Sequence, residues 1–471
     1  MRGLTSVATL MVACTTMIAE ADHPPLCLHP ENPHYFLFRG KPTILIGSGE
    51  HYGAVLNLDF DYVRYLDAVG RDQLTHTRTF SGVYCEPQGA FKIARNTLAP
   101  SANRYIAPWA RSDQPGYANG GNKFDLSRFD AAYFARLKDF MARASRRGVV
   151  VEMNLFCPFY KDAMWQLSPM NAANNVNGVG NVKRTDVYTL DRNGGLLPYH
   201  EAFVRKIVTE LNAFDNLYYE VCNEPYFGGV TMAWQRRIVD VIVETEKKLP
   251  RRHLISLNIA NGSAKVENLH PEVSILNFHY ASPPDAVAVN YHWRRPIGDN
   301  ETGFKGTGDT HYRMEAWEFI LAGGALFSHL DYSFAAGHED GTFQYPPQQP
   351  GGGNPAFRKQ MRILKEFIHG FDFLRMRPDT TTVQSLPKGA RARVLSEHGR
   401  QYAIYLFGKS SGEMTLALPN GPYAVRWTDV LTGAAIQSRT LDHQGGNARL
   451  TLPDYAEDVA LSLRRAAPAT E

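Results

Sequence analysis

The sequence predicts an α/β protein, a (β/α)8 TIM barrel followed by a small antiparallel β-sandwich, on three observations. Short apolar, β-prone runs alternate with helix-period segments through most of the chain, the signature of βα units and a parallel sheet. Beyond residue 380 the pattern becomes short alternating runs separated by turns such as Pro419-Asn420-Gly421-Pro422. One β-prone run, 216–222, stops abruptly at Asn223-Glu224-Pro225, an acid placed where a parallel barrel keeps its functional groups.

The bulk numbers agree. A chain of 471 residues holds one large domain and a small one. Hydrophobic residues at 44% and charged residues at 21% are ordinary for a soluble globular protein. The formal net charge is only +3 and no basic stripe occurs, which argues against a nucleic-acid partner.

At the N-terminus, Arg2 precedes an uncharged apolar stretch, 4–18, and Ala19-Glu20-Ala21 fits a small-x-small cleavage site. Residues 1–21 therefore read as a signal peptide and the protein as secreted or periplasmic. Leu10-Met11-Val12-Ala13 before Cys14 offers a lipoprotein reading, which the short h-region and Met11 disfavour. No later segment has the apolar length of a membrane span. After cleavage Cys27, Cys85, Cys157 and Cys222 would remain, without metal-ligand spacing and too few for a disulfide scaffold. Neither a metal nor a cofactor is expected.

The barrel domain is expected over 22–379. Its strands fall at 43–48, 74–80, 149–154, 216–224, 254–258, 273–280, 296–301 and 325–331. Helices fall at 129–147, where Phe134, Leu137, Phe140 and Met141 recur at helical spacing, and at 199–212 and 231–248. A helix over 355–373 closes the barrel. The β-sandwich, 380–471, draws on runs at 392–395, 402–407, 414–418, 423–427 and 459–463. Two long connections, 82–124 and 157–198, follow the second and third strands. They are rich in Asn, Gly, Pro and aromatic residues and are expected to wall a cleft. Trp109, Tyr160 and Trp165 are candidate sugar-stacking rings there, or pins for the loops that carry them.

The chemistry rests on two acids. Pro225 has no N–H to give a ladder, so Glu224 stands at the end of its strand. Glu301 likewise closes a short apolar strand, three βα units further on, so the two would face each other across the barrel mouth. Glycosidic cleavage needs such a pair, one carboxyl protonated to release the leaving oxygen and one ionised to attack or to activate water.

With these residues in view, the chain resembles the clan A glycoside hydrolases of the family 5, cellulase-like type, over about 41–369. The resemblance implies a retaining double displacement on a polysaccharide or oligosaccharide, with Glu224 as acid/base and Glu301 as nucleophile. It implies that Asn223 contacts a sugar 2-hydroxyl and that Arg78 keeps the nucleophile ionised. His279 and Tyr280 end strand six, where the clan has His and Tyr one residue apart; here they are adjacent, and alternation would send them to opposite faces of a regular strand. Strand eight offers His329, Asp331 and Tyr332 where the clan has a tryptophan platform. Tyr332 becomes a substrate-binding candidate, and Asp331 is the rival to Glu301. At the end of strand one, Glu50 and His51 are candidates for substrate hydroxyls or for pairing with Arg78. Glu220 shares parity with Glu224, so it should point into the barrel and be paired, with Arg78 or His76. The sequon Asn300-Glu301-Thr302 reads as accidental, because a glycan there would block the cleft. Two other readings stand beside this one: a non-catalytic glycan-binding or envelope protein on a degenerate barrel, and a transglycosylase.

Overall fold

The computed structural model describes residues 23–466; the expected signal peptide and Cys14 lie outside them. Eight parallel strands close into a barrel in chain order. They are β1 (Leu45–Gly49), β2 (His76–Phe80), β3 (Val150–Phe156), β4 (Leu217–Cys222), β5 (Ile255–Asn261), β6 (Ile275–His279), β7 (Ile297–Glu301) and β8 (Leu326–Leu330). All eight expected strands are present. Every residue of β1 to β4 is buried, because helices cover one face and the barrel interior the other.

The helices are α1 (Tyr62–Arg71), α2 (Ala131–Arg146), α3 (Leu197–Leu211), α4 (Met232–Glu246), α5 (Asp285–Asn290), α6 (Asp309–Leu321) and α7 (Pro355–His369). Their starts are written locally. The carboxylates of Asp61 and Asp130 accept N–H bonds from the first turns of α1 and α2. Asn354 caps α7, and Pro355 takes the first helical position, where its missing N–H costs nothing. Helix α2 buries Phe134, Leu137, Phe140, Met141 and Ala144, one stripe at spacings of three and four. Deleting one such side chain, as in Leu137→Ala, costs about 2–5 kcal/mol through transfer and cavity terms.

The two long connections are more ordered than a bare loop. The first holds an antiparallel hairpin, Trp109–Pro115 with Asn122–Phe129. The second contains only one short helical turn, Asp162–Trp165. Its asparagines supply the missing ladder. The Nδ2 of Asn174 donates to the carbonyls of Gln166 and Ser168 at 2.7 and 2.9 Å, and Asn175 donates to the carbonyls of Asn171 and Val179. The loops also join each other, with the Phe124 N–H bonded to the Asn174 carbonyl at 2.8 Å. The Asn-rich composition thus serves buried backbone that has no sheet to pair with.

The C-terminal region forms a six-stranded antiparallel sheet and a three-stranded one. They share a core that includes Tyr402, Ile404 and Leu406 from one sheet and Met414, Leu416 and Leu418 from the other. It docks on α6 and adjoining barrel residues. Trp317 stacks on Tyr405 at 5.4 Å, and buried Arg313 grips the Asp458 carboxylate at 2.7 and 2.9 Å. Glu318 accepts from Arg393 at 3.1 Å across the same junction. Among the described residues no helix is long and apolar enough to cross a membrane.

Candidate active site

The site lies at the C-terminal mouth of the barrel and is built upward from a polar interior. Arg78, on β2, is fully buried and surrounded by carboxylates. Its Nε donates to Glu152 at 2.6 Å, its Nη2 to Glu220 at 2.8 Å, and its Nη1 to Glu301 at 3.0 Å. One cation thus faces three acids. The Glu220 carboxyl is pushed upward by burial and by the neighbouring Glu152 charge. Burial would raise Glu152 as well, but Arg78 and His76 bring it down to about 2. Asn154 donates to the same Glu220 Oε1 that Arg78 holds, and Asn277 and Asn300 donate to its Oε2, so this carboxylate is well supplied with donors. Asn300 is fully buried there, which leaves the sequon asparagine inside the barrel.

Glu301 reaches the mouth through an irregularity. Between β6 and β7 the register passes from Phe278 opposite Asp299 to His279 opposite Glu301. Asn300 is the extra residue, and such a bulge re-aims the side chains around it. The Oε2 of Glu301 accepts from Arg78 and from the Tyr52 hydroxyl at 2.8 Å; its Oε1 accepts from the Tyr280 hydroxyl at 2.6 Å. Burial alone would raise this carboxyl, but His279, Arg78 and Tyr280 outweigh it and hold it well below the usual range.

Glu224 sits two residues past the end of β4, at φ 36°. A non-glycine residue in that region is strained, by roughly 1–3 kcal/mol. The cost is offset where its backbone N–H bonds the Asn258 side chain at 3.1 Å. The Glu224 carboxylate accepts from the Tyr160 hydroxyl at 2.7 Å and lies 3.2 Å from His279 Nδ1. The same nitrogen lies 3.4 Å from Glu301, so His279 stands between the two acids. Burial would lower its pKa; the Glu301 and Glu224 carboxylates push it up to about 10. One ligand atom each from Glu224, His279 and Glu301 falls within a 4.8 Å span. That set could clasp a cation, but the Arg78 guanidinium already occupies the electrostatic role beside Glu301.

The adjacency of His279 and Tyr280 does not separate them. Strand β6 ends at His279, and Tyr280 takes φ 52°, so alternation stops applying and both side chains meet Glu301. Asn223 accepts from Arg78 at 2.9 Å and donates to the Tyr160 hydroxyl at 2.9 Å. His51 lines the cavity; burial lowers its pKa to about 4, and its Nδ1 has no protein partner.

Other expected residues stand away from the cavity. Glu50 turns into the structure, accepting from the N–H groups of Gly53 and Ala54 and from the Thr97 hydroxyl, and it bonds neither Arg78 nor the cavity. Trp109 packs against Phe203 and is 1% exposed. Trp165 packs on Phe159 and donates to the Val182 carbonyl at 3.0 Å. Both indoles pin loops, because the loops bury their own aromatic residues to gain a core. Tyr332 lies behind the wall, edge-on to His51 and Phe304. Asp331 pairs with Arg358 at 2.7 Å and Ser48 at 3.1 Å, buried and off the cavity. Tyr160 faces the cavity, but its hydroxyl is bound to the acid.

Sequence reasoning missed Tyr52, whose hydroxyl bridges Arg78 and Glu301, and the interior role of Glu152. Tyr52 has φ 61°. Tyr52, Glu224 and Tyr280 thus all take positive φ beside the acids, and Phe91, at φ 53°, does so on the same cavity. Adjacent Gly53 was the one local hint of an unusual turn.

The fold, barrel and C-terminal β-domain together, is shared with solved structures that are named glycoside hydrolases, one of them of family 5. The chain is similar over 95% of its length to a Bacteroides vulgatus ATCC 8482 protein provisionally named a glycoside hydrolase, at 14% identity, TM-score 0.66 and 84% of that chain. It matches a glycoside hydrolase family 5 structure from the same organism over 94% of its length and 95% of that chain, at 13% identity and TM-score 0.64. A third structure, named simply a glycoside hydrolase, matches at 13% identity and TM-score 0.64, over 94% and 97% of the two chains. No family model and no curated protein matches the sequence.

Proposed function

We propose that the protein is a retaining O-glycoside hydrolase acting on a carbohydrate substrate. The observation that carries this is the pair Glu224 and Glu301, with oxygens within 4.8 Å of each other and His279 between them. Retaining enzymes bring their carboxyl groups to about 5–5.5 Å, whereas inverting ones leave about 6.5–9.5 Å for a water. The two environments also differ. Arg78, Tyr52 and Tyr280 keep Glu301 ionised for attack on the anomeric carbon. Glu224 has no arginine on it, and its partners are hydroxyls and His279. In this reading Glu224 protonates the leaving oxygen, Glu301 forms the glycosyl-enzyme, and Glu224 then deprotonates the incoming water. Asn223, beside both acids, is placed to meet a sugar hydroxyl.

Early-time-point proton NMR of the released sugar tests the stereochemistry: retention is expected, and net inversion refutes the assignment. Adding an alcohol acceptor to the same reaction separates hydrolysis from transfer. The signal-like residues 1–21 support export, which fractionation of a producing cell would test.

A further inference from the structure

The cavity around the two acids holds about 470 Å³, and aromatic rings make up much of its lining, with Lys305 and Asn261 as exposed polar side chains. Four rings line it in an arc, Phe304, Phe91, Tyr160 and Phe227, with successive centroids 6.4, 5.5 and 5.9 Å apart, and Tyr226 extends the arc 5.1 Å beyond Phe227. They come from the loops after β7, β2, β3 and β4, so four separate segments converge on one apolar collar. Phe227, Phe304 and Tyr226 are 44%, 39% and 38% exposed, among the most exposed large apolar side chains of the described residues. Isolated exposed rings need no explanation, but these are contiguous and surround a polar floor.

The tyrosines of the arc have little polarity left to offer. Tyr160 donates to Glu224 and accepts from Asn223, and Tyr226 bonds Asn261 and Glu224. What they present to a ligand is ring carbon. The phenylalanines have no polar atom at all, and among the described residues no tryptophan lines the cavity. Asn223 and His51 stand with the acids, and the polar side chains on the collar side are Lys305, next to Phe304, and Asn261, which accepts from the Tyr226 hydroxyl. The leaving oxygen must lie beside Glu224, and the rings that contact Glu224 belong to this same collar. A group departing on that side meets the faces of these rings, and an apolar group gains about 25 cal/mol for each Å² of carbon that it buries there.

We infer that the site takes a glycoside whose aglycone is apolar, one sugar on the polar floor and an alkyl or aryl group within the ring collar. This rests on the hydrolase reading for the position of the leaving group.

Hexyl and methyl glycosides provide the test, since both leave as alkanols of similar acidity. O-linked pairs would be assayed for turnover and S-linked pairs for binding by calorimetry, over a panel of common hexoses and pentoses. For the sugar accepted, kcat/KM and affinity are expected to be at least about tenfold higher for hexyl than for methyl. Phe304→Ser and Phe227→Ser should each bring that ratio down severalfold, and together to near one. Leu431→Ser, an exposed apolar change on the β-domain, should leave the ratio alone. Equal or undetectable binding of the S-linked pair overturns the inference, and turnover of methyl glycosides or oligosaccharides would show that the hydrolase reading survives it. Tighter S-hexyl binding with no turnover of any glycoside keeps the apolar site and refutes the hydrolase reading.

Discussion

The Nη1 of Arg78 lies 3.0 Å from the Oε2 of Glu301, and the same guanidinium is held from behind by Glu152 and Glu220. The cation that tunes the mouth is therefore also the keystone of the barrel interior. A charge with no solvent around it is stable only with its partners, so function and folding share this residue.

Replacing Arg78 with Met should be costly on both counts. Removing one partner of a buried ionic network costs about 3–5 kcal/mol, which urea denaturation would read as a lower midpoint. Glu301, no longer paired, should titrate higher, so the acid limb of kcat/KM should move to higher pH in whatever protein remains folded. The sign follows from the native state: Glu301 is depressed there, so its contribution to stability is present above the unfolded carboxylate range and is lost as pH falls. An unchanged acid limb in folded Arg78→Met would separate Arg78 from Glu301.

The two acids should separate in their variants. Glu301→Gln should abolish turnover, because no nucleophile remains. Glu224→Gln should lower kcat/KM by about 10²–10⁴-fold for a substrate with a poor leaving group and far less for a glycosyl fluoride or a dinitrophenyl glycoside, whose leaving group needs no protonation. Circular dichroism should show both folds intact. Full activity in Glu301→Gln would reassign the nucleophile.

Tyr52→Phe and Tyr280→Phe each remove one hydroxyl from the Glu301 carboxylate. A hydrogen bond to a charged group is worth about 1.5–3 kcal/mol, which corresponds to roughly tenfold to a hundredfold in kcat/KM if it is retained in the transition state. Steady-state kinetics would measure it. Effects below twofold in both variants would make these hydroxyls spectators.

His279 contributes stability in a definite pH window. Its native pKa is raised from 6.5 to about 10, so the contribution is whole below 6.5 and disappears as pH rises through about 10. The difference in urea midpoint between the wild type and His279→Asn should therefore shrink steadily between those limits. A difference that grows with pH would mean that the imidazole is neutral in the native state.

At the junction with the β-domain, Arg313→Met leaves Asp458 buried without its bidentate partner. Thermal melts should show a clear loss of stability, of about 3–5 kcal/mol, with little change in KM because Arg313 does not line the cavity. A Tm within experimental error of the wild type would show that the interface rests on Trp317 and Tyr405 instead.

The sequence by itself determined the barrel, the β-domain and the position of both acids, because these depend on local rules. A β-prone run that meets Pro225 must end, and helical spacing of Phe134, Leu137 and Met141 must make one apolar stripe. It also announced that Glu220 would need a partner, since a buried carboxylate cannot stand alone. Only the tertiary structure decided which residues surround the acids. Tyr52, Tyr280 and Glu224 leave strand geometry at positive φ, where no periodicity tells which way a side chain points. Trp109 and Trp165 looked suited to sugar, yet their loops needed buried rings, and that demand took precedence. The collar of Phe91, Phe227 and Phe304 is assembled from segments 136 and 77 residues apart in the chain. Its rings meet because the barrel brings the strand ends together, a fact of closure that no local pattern carries.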